Sequence, residues 1–198
     1  MGRWRGLLEE QTGPLSWLSQ VHGTRIVDAG GPVQEADGMI IRPGEGGAVM
    51  VADCAPLLMV GESIGAVVHV GRAGLLGGIA ARAVERLRAE GASNISAVIG
   101  PAVCGECYEV GQALASEAEE ALPGSSCTTR WGTPGIDIPG ALAAQLTGLG
   151  ADVESVGVCT MEDERFFSHR RQAGKAGRFA GILVLNRDTP HGLALENL

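Results

Sequence analysis

Three residues of this sequence are of types that could together hold a metal ion. His22 in QVHG, Cys54 in ADC and His69 in VVHVG each follow an apolar, strand-like run and come just before a turn. Neighbouring strands can bring their ends together even when they are far apart in sequence, and functional sites often collect there. Two imidazoles and one thiolate, with a fourth position left open, are typical of a catalytic zinc site. Taken singly, however, a cysteine in an apolar strand is more often a core residue, and a histidine at a strand end is more often hydrogen-bonded structure.

A second arrangement of possible ligands competes with the first. Cys104 and Cys107 form a C-x-x-C, and with His69 they could imitate the His/Cys/Cys zinc set of nucleobase deaminases. That signature requires H-x-E and P-C-x-x-C, but no glutamate follows His69 at that spacing and Pro101 lies three residues before Cys104. The general acid is therefore absent from its place. A C-x-x-C in a turn is also compatible with two ordinary thiols.

The densest basic segment, SHRRQAGKAGR at 168–178, is a candidate anion site. Arg170 or Arg171 could bind a phosphate or a carboxylate through two parallel hydrogen bonds, for which the guanidinium geometry is suited. The alternative is a solvated surface loop, since isolated charge clusters often contribute little.

Composition limits the possible partners and the cellular location. The chain has 198 residues, a formal net charge of −8 and a pI of about 5.0. This balance disfavours nucleic-acid binding, which needs clustered Lys and Arg to displace counterions. No apolar run approaches the roughly 20 residues that span a bilayer, and the five cysteines, an odd number, indicate reduced thiols. We expect a cytoplasmic protein that contacts no membrane and is a monomer.

The chain patterning predicts a single α/β domain over 1–198 with mixed sheets. No G-x-G-x-x-G follows the first strand, and βαβ units do not alternate regularly. Short apolar runs predict strands at 15–21, 37–41, 48–52, 64–70, 95–99, 153–158 and 180–186. Helical spacing predicts helices at 74–90 and 111–121, and a third that starts near Asp137 and Pro139 and runs through ALAAQLTGL.

Several blocks in a fixed order resemble the YfiH/YlmD laccase-domain family, a purine nucleoside phosphorylase-like group of bacterial proteins. The blocks are QVHG, ADGM, ADCAPLL, VVHVGRAG, IGPAVCGECYEVG, CT with FFSHRR, GKAGR and GILVL. The resemblance implies a four-layer α/β/β/α fold. It also implies that His22, Cys54 and His69 bind a metal, usually zinc, and that Cys54 and His69 are catalytic. Asp53 would then orient a ligand or transfer a proton, with Asp37 as the other candidate proton carrier.

The same resemblance implies an activity and its substrates. These are phosphorolysis of adenosine, inosine and methylthioadenosine, together with adenosine deamination, so a nucleoside and phosphate are the expected partners. Arg72, Arg170 and Arg171 are the cations available to bind the anion, and the sequence does not rank them. The usual HAGWRG block reads HVGRAG here, so Arg72 takes the Trp position and Ala73 the Arg position.

Three other functions stay open at this point. One is copper-dependent oxidation of phenols, although this chain has only four histidines and multicopper sites need many more. Another is hydrolysis of an amide bond in peptidoglycan precursors by Cys54 and His69 without a metal. The third is an inactive homologue, because the T-T-R-x-G-G and S-L-N-L-G blocks that family members carry upstream are not visible before Leu15, and we expect that N-terminal segment to be lacking.

Overall fold

The architecture is a mixed α/β fold in which two β-sheets pack face to face. A computed structural model describes residues 3–187, and of these the side chains from residue 6 onward. In chain order the elements are α1 (Arg3–Thr12), β1 (Ser16–Ser19), β2 (Ile26–Asp28), β3 (Gln34–Glu35), β4 (Gly38–Ile41), β5 (Gly46–Val51), β6 (Ala55–Val60), β7 (Gly65–Val70), α2 (Arg72–Leu76), α3 (Ile79–Ala89), β8 (Ser96–Ile99), α4 (Gln112–Ala121), β9 (Ser126–Thr128), β10 (Pro134–Ile136), α5 (Ile138–Gly148), β11 (Asp152–Ser155) and β12 (Phe179–Val184). None of the helices in the described part of the chain is long and apolar enough to cross a bilayer.

Both large sheets mix parallel and antiparallel pairs. The six-stranded sheet has the order β11-β8-β6-β7-β4-β2, and the four-stranded sheet has the order β12-β5-β1-β3. Strands β6 and β7 form an antiparallel hairpin at the centre of the larger sheet, while β11–β8 and β2–β4 pair in parallel. A small β9–β10 hairpin packs against α4.

The side chains alternate between two cores along each central strand, which defines four layers. On one face of the larger sheet, residues such as Leu57 and Val68 pack against α2, α3 and α5. On its other face, Met39 and Val67 pack against Val49 and Leu183 of the smaller sheet. On the outer face of the smaller sheet, Trp17, Ala48 and Ile182 form a third apolar cluster. Leu8 of α1 packs against this cluster. The order of layers is therefore α/β/β/α, which confirms the predicted fold class.

Glycine allows the two sheets to approach closely. A Cβ on Gly47 would overlap the Met39 sulfur and lie 2.6 Å from Ile41 Cδ1, and a Cβ on Gly181 would lie 2.6 Å from Pro56 Cβ. Such distances are incompatible with a close-packed interior, so larger residues would push the sheets apart. This explains how a chain with 31 glycines and only 4% aromatic residues still forms continuous cores.

Most predicted elements are present, with shifts of a few residues at their ends. The strands predicted at 37–41, 48–52, 64–70, 95–99 and 180–186 correspond to β4, β5, β7, β8 and β12, and those at 15–21 and 153–158 to the shorter β1 and β11. The second and third predicted helices are α4 and α5, and Asp137 caps α5 by accepting from the Gly140 amide at 3.1 Å. Helix α1, the central strand β6 and the short strands β2, β3, β9 and β10 were not predicted.

The central segment differs from the predictions in two ways. Residues 55–60, for which no strand was predicted, form β6, and residues 52–54 carry the chain to it from β5 in the other sheet. The helix predicted at 74–90 is two helices, α2 and α3. Gly78 separates them by adopting a φ of 78°, a left-handed conformation that interrupts the helical ladder.

Candidate metal centre

The three predicted ligands meet at one end of the central hairpin. Because β6 and β7 are antiparallel, the start of β6 lies beside the end of β7, and Pro56 pairs with His69. Cys54 directly precedes β6, and His22 lies in the loop between β1 and β2. One ligand atom from each of the three residues lies within 4.8 Å of the other two. The structure thus brings these residues together, and that they bind a metal stays a prediction.

A single carboxylate, that of Asp37, positions two of the three ligands. Its side chain is fully buried at the start of β4. The backbone amides of Val21, His22 and Gly23 donate to it at 3.2, 2.9 and 2.7 Å, and His69 Nδ1 donates at 2.8 Å. The backbone amide of His69 also donates to the Asp37 carbonyl at 2.7 Å. With Nδ1–H committed to Asp37, Nε2 is the nitrogen that can bind a metal once its proton is lost, which is the arrangement that histidine ligands commonly show.

The electrostatics of the cluster favour an ionised sulfur. Burial raises the pKa of Cys54, but hydrogen bonds from His22 and His69 outweigh burial and lower this pKa from 9.0 to about 7. Burial lowers the pKa of His69, but its hydrogen bonds to Asp37 and Cys54 raise this pKa to about 9. The hydrogen bond to Cys54 also raises the pKa of His22. The donor set is therefore a thiolate with two imidazoles, which suits zinc or copper better than magnesium or calcium.

The backbone takes unusual conformations at two residues of the centre. His22 has a φ of 61° and Asp53 a φ of 85°, both in the left-handed region that residues other than glycine rarely occupy. Strain of this kind persists where the surrounding contacts determine the conformation. At His22 those contacts are the three amides that converge on Asp37. Close packing continues at Gly71, where a Cβ would lie 2.8 Å from His22 Cδ2 and 3.1 Å from Cys54 Sγ.

Asp53, predicted to orient a ligand or carry a proton, holds a neighbouring loop. Its Oδ1 accepts from the Thr160 hydroxyl at 2.7 Å and its Oδ2 from the Arg170 backbone amide at 2.8 Å. The carboxylate that contacts the His69 ring belongs to Asp37 instead. The sequence signal for Asp37 was its place in ADGM directly before an apolar strand, and its depth in the fold was not readable from that.

The metal centre opens into a cavity of about 730 Å³. His22, Cys54 and His69 line it, and so do three cations, Arg72, Arg170 and Arg178. The Arg170 guanidinium lies 4.6 Å above the ring of Tyr108, a cation–π contact that holds it at the edge of the cavity. Arg178 was within the predicted basic segment but was not singled out from it.

Arg171, also predicted to bind an anion, does not line this cavity. Its guanidinium donates to the backbone carbonyls of Thr160, Met161, Asp163 and Phe166 at 2.6–3.2 Å. These bonds use most of its donors to hold the loop together. We therefore leave Arg171 out of the anion site proposed below.

The deaminase-like set of His69 with Cys104 and Cys107 is not assembled. His69 groups with His22 and Cys54, whereas Cys104 and Cys107 group with Cys159 and Glu162. Burial, together with the neighbouring Cys104 and Cys159, raises the pKa of Cys107 to about 12. A thiol with this pKa is a poor nucleophile. All five cysteines lie in the described part of the chain, and none forms a disulfide.

Comparison with known proteins identifies relatives along most of the chain. The model of a family described as multi-copper polyphenol oxidoreductase laccase matches residues 3–186. A purine nucleoside phosphorylase of Mycobacterium tuberculosis is 45% identical over 179 residues, which cover 84% of this chain and 70% of the relative. A purine nucleoside phosphorylase of Streptomyces griseus is 40% identical over 182 residues, 86% of this chain and 74% of that protein. The crystal structure of Bacillus licheniformis YfiH superimposes with a TM-score of 0.82 at 26% identity, over 92% of this chain and 79% of YfiH. The predicted resemblance to the YfiH/YlmD family is confirmed.

Replacing Gly71 should disrupt the centre without a backbone effect. Gly71→Ala places a methyl group against His22 and Cys54, so we expect the affinity for Zn²⁺ to fall by roughly 10–100-fold, as when a ligand's orientation is disturbed. The matched control is Gly111→Ala, because both glycines precede a helix with an extended backbone and a Cβ on Gly111 would have no neighbour within 4 Å. Competition titration with a chromophoric chelator measures both. Equal affinities in the two variants would contradict the packing argument.

Replacing Asp37, which holds two of the ligands but is not itself a ligand, should weaken metal binding. Asp37→Asn keeps the shape but offers one oxygen where the carboxylate offers two, so at least one of four donors meets an amide NH₂. We expect Zn²⁺ affinity to fall by roughly 10–100-fold. Asp28→Asn is the control, because Asp28 is exposed and pairs with Arg42 and Arg86 on the surface. Circular dichroism first shows that both variants are folded, and the same titration then measures their affinity for Zn²⁺. A wild-type affinity in Asp37→Asn would count against the role of Asp37.

Metal affinity should rise with pH up to about 9. Metal binding requires a thiolate and neutral imidazoles, so bound protons compete with the ion. The pKa of about 7 at Cys54 and of about 9 at His69 means that both groups hold protons below pH 7 and that His69 keeps its proton up to pH 9. We therefore expect the apparent Zn²⁺ affinity to increase steeply below pH 7, less steeply between pH 7 and 9, and then to level. A flat profile between pH 7 and 9, measured by titration at fixed ionic strength, would contradict this.

Proposed function

Because the chain belongs to the family described as multi-copper polyphenol oxidoreductase laccase, and its matched relatives are named purine nucleoside phosphorylase, we propose that it is a zinc-dependent purine nucleoside phosphorylase. Its substrates would be adenosine, inosine and methylthioadenosine, and it would also deaminate adenosine. The observation that carries the proposal is the convergence of His22, Cys54 and His69 in a cavity that also presents arginines.

The cavity has the size and the polarity that a nucleoside and phosphate require. Small-molecule sites usually enclose about 300–1,000 Å³, and this one encloses about 730 Å³. Phosphate needs positive charge, which Arg72, Arg170 and Arg178 supply from its walls. Arg170 is held in place by its backbone bond to Asp53 and by the Tyr108 ring. A guanidinium positioned in advance loses less freedom when the anion binds.

In phosphorolysis the positioned anion is the nucleophile. A phosphate oxygen bonds to C1′ of the ribose while the bond from C1′ to the purine nitrogen breaks, and the purine leaves with that electron pair and takes up a proton. The arginines orient the phosphate and offset its charge as it approaches the sugar. Asp53, with both oxygens already accepting hydrogen bonds, positions the Arg170 segment in this scheme.

The metal centre would serve both activities. When bound, zinc would orient the nucleoside for phosphorolysis, and for deamination it would lower the pKa of a water from about 15.7 to near 7, so that hydroxide replaces the C6 amino group of adenosine, which leaves as ammonia. The chain's contribution is to fix the ligands. Asp37 sets the His69 tautomer and the His22 loop.

A specific observation favours a second candidate, a thiol hydrolase. Cys54 hydrogen-bonds to His69, and His69 hydrogen-bonds to Asp37 at 2.8 Å, which is the order of a Cys-His-Asp triad. A sulfur with a pKa of about 7 is sufficiently ionised to attack an amide carbonyl at neutral pH. The two candidates use the same atoms but differ in whether metal is needed. Copper-dependent phenol oxidation has no comparable support, since only two imidazoles join this cluster among the described residues.

Incubation with adenosine separates these functions. We expect zinc-loaded protein to release adenine and ribose 1-phosphate only when phosphate is present, and to form inosine whether or not phosphate is present. Cys54→Ala should lower both rates by more than about 100-fold, since it removes a ligand rather than a supporting group. Cys127→Ala, which lies outside the cavity, should leave them unchanged.

Chelation of the metal should have opposite effects on the two candidate activities. Removal of metal should abolish phosphorolysis and deamination and should leave a thiol hydrolase active. Folded, zinc-loaded protein that releases no base from any of the three nucleosides would overturn the proposal. Hydrolysis of an amide substrate that survives chelation and is lost on alkylation of Cys54 would establish the second candidate instead.

A further inference from the structure

A second cluster of metal-ligand residues lies next to the cavity and has no part in the chemistry above. It consists of Cys104, Cys107, Cys159 and Glu162, whose sulfur and carboxylate atoms all lie within 4.8 Å of one another. Cys104 and Cys107 come from the turn that follows β8, and Cys159 and Glu162 from the turn that follows β11. We propose that these four residues bind a structural zinc ion.

The two turns are joined by backbone hydrogen bonds that fix the positions of the sulfurs. Ala102 forms a parallel bridge with Cys159, and the Thr160 amide donates to the Ala102 carbonyl at 3.0 Å. Within the first turn the amides of Cys107 and Tyr108 both donate to the Cys104 carbonyl, at 3.0 and 2.9 Å. This folds the C-x-x-C so that its two sulfurs face the same point.

The second turn is closed in a similar way and places the Glu162 carboxylate beside the sulfurs. The amides of Glu162 and Asp163 donate to the Cys159 carbonyl at 3.1 and 3.0 Å, so the chain reverses after Cys159. The amide of Cys104 in turn donates to Cys159 Sγ at 3.5 Å. Backbone N–H groups directed at sulfur are a common support for thiolate ligands.

The size of the cluster matches tetrahedral zinc after small side-chain rotations. A Zn–S bond of about 2.3 Å places the ligand atoms of a tetrahedron about 3.8 Å apart. The upper limit of 4.8 Å in this cluster is about one ångström wider. Rotation about the cysteine and glutamate side-chain bonds covers that difference without any backbone shift.

The chemistry of the four groups favours zinc over packing or a disulfide. Cysteines that only pack need no carboxylate beside them, yet the half-exposed Glu162 lies at ligand distance. A disulfide would join two sulfurs and leave the third unpaired, whereas all three converge here. Three thiolates with one carboxylate exceed the charge of Zn²⁺, and Arg130, which forms ion pairs with Glu162 and Glu106, offsets the excess.

Four protein ligands form a closed set, because they fill the coordination positions of a zinc ion. The three ligands at the cavity form an open set, because they leave one position free. Closed sets are structural and open sets are catalytic. The turn that carries Cys104 and Cys107 also contributes Val103 and Tyr108 to the cavity wall, and Arg170 lies on the Tyr108 ring. An ion held by this cluster would therefore fix the wall against which Arg170 is positioned.

Metal counting on the full chain tests the proposal without any activity assay. Protein produced in zinc-supplemented medium and purified under a reductant should contain about two zinc ions per chain by mass spectrometry of the metal, one for each site. Cys159→Ala and Cys54→Ala should each contain about one, and the double variant none. Cys127→Ala is the matched control, because Cys127 donates to the Gly105 carbonyl beside the cluster but does not belong to it, and it should keep about two.

Replacing zinc by cobalt gives a second measurement of the two sites, which compares two variants by their absorption. If Co²⁺ fills both sites, four thiolates contribute to the sulfur-to-cobalt absorption, so Cys54→Ala should keep about three quarters of the band and Cys159→Ala should lose most of it. The proposal is overturned if the wild type holds one zinc that Cys54→Ala alone removes. It is also overturned if Cys159→Ala keeps the wild-type metal content, or if the intact mass before any reductant is added is two hydrogens lower than after reduction, which would show a disulfide.

Discussion

The geometry of the candidate centre depends on one buried negative charge. The Asp37 carboxylate accepts three backbone amides from the His22 loop and the ring N–H of His69. An ionised carboxylate taken from water into the interior costs several kcal/mol unless donors surround it. Burial raises the pKa of Asp37, but these four donors outweigh burial and lower it below its usual value. The loop can therefore adopt its strained φ at His22 only while Asp37 is present and ionised, and the orientation of His69 depends on the same charge.

This arrangement is possible because the site lies where the chain passes between the two sheets. His22 lies on the passage from β1 in the smaller sheet to β2 in the larger one, and Cys54 on the passage from β5 to β6. His69 alternates with Val68 and Val70 and so shares a strand face with Val67, which packs between the sheets. Each ligand thus comes from a segment whose position depends on how closely the sheets approach. The glycines at 47 and 181 permit that approach, and the same packing forces that stabilise the fold also assemble the centre.

Sequence patterns predicted the parts of this structure that depend on local periodicity. Apolar runs located β4, β5, β7 and β8, and the rule that strand ends gather made His22, Cys54 and His69 possible partners, which the family resemblance then selected. The rest depends on contacts between segments distant in sequence. Nothing local distinguishes the carboxylate of Asp37, which contacts the His69 ring, from that of Asp53, which holds the 170 segment. For the same reason Arg171 could not be separated from Arg170, nor Cys159 recognised as a partner of the C-x-x-C 52 residues earlier.

The presence of a second histidine beside the sulfur favours a metal centre over a thiol nucleophile. A Cys-His-Asp triad needs one imidazole beside the sulfur, and His69 with Asp37 already supplies it. Here a second imidazole, that of His22, also hydrogen-bonds to Cys54, and its ring centroid lies 4.7 Å from that of His69 at an interplanar angle of 75°. Holding it there requires a left-handed backbone, a glycine at 71 and three of the donors to Asp37. A nucleophile would gain little from this, because one base is sufficient to accept its proton. A cation gains a third ligand, which is the difference between a weak two-ligand contact and an open catalytic set.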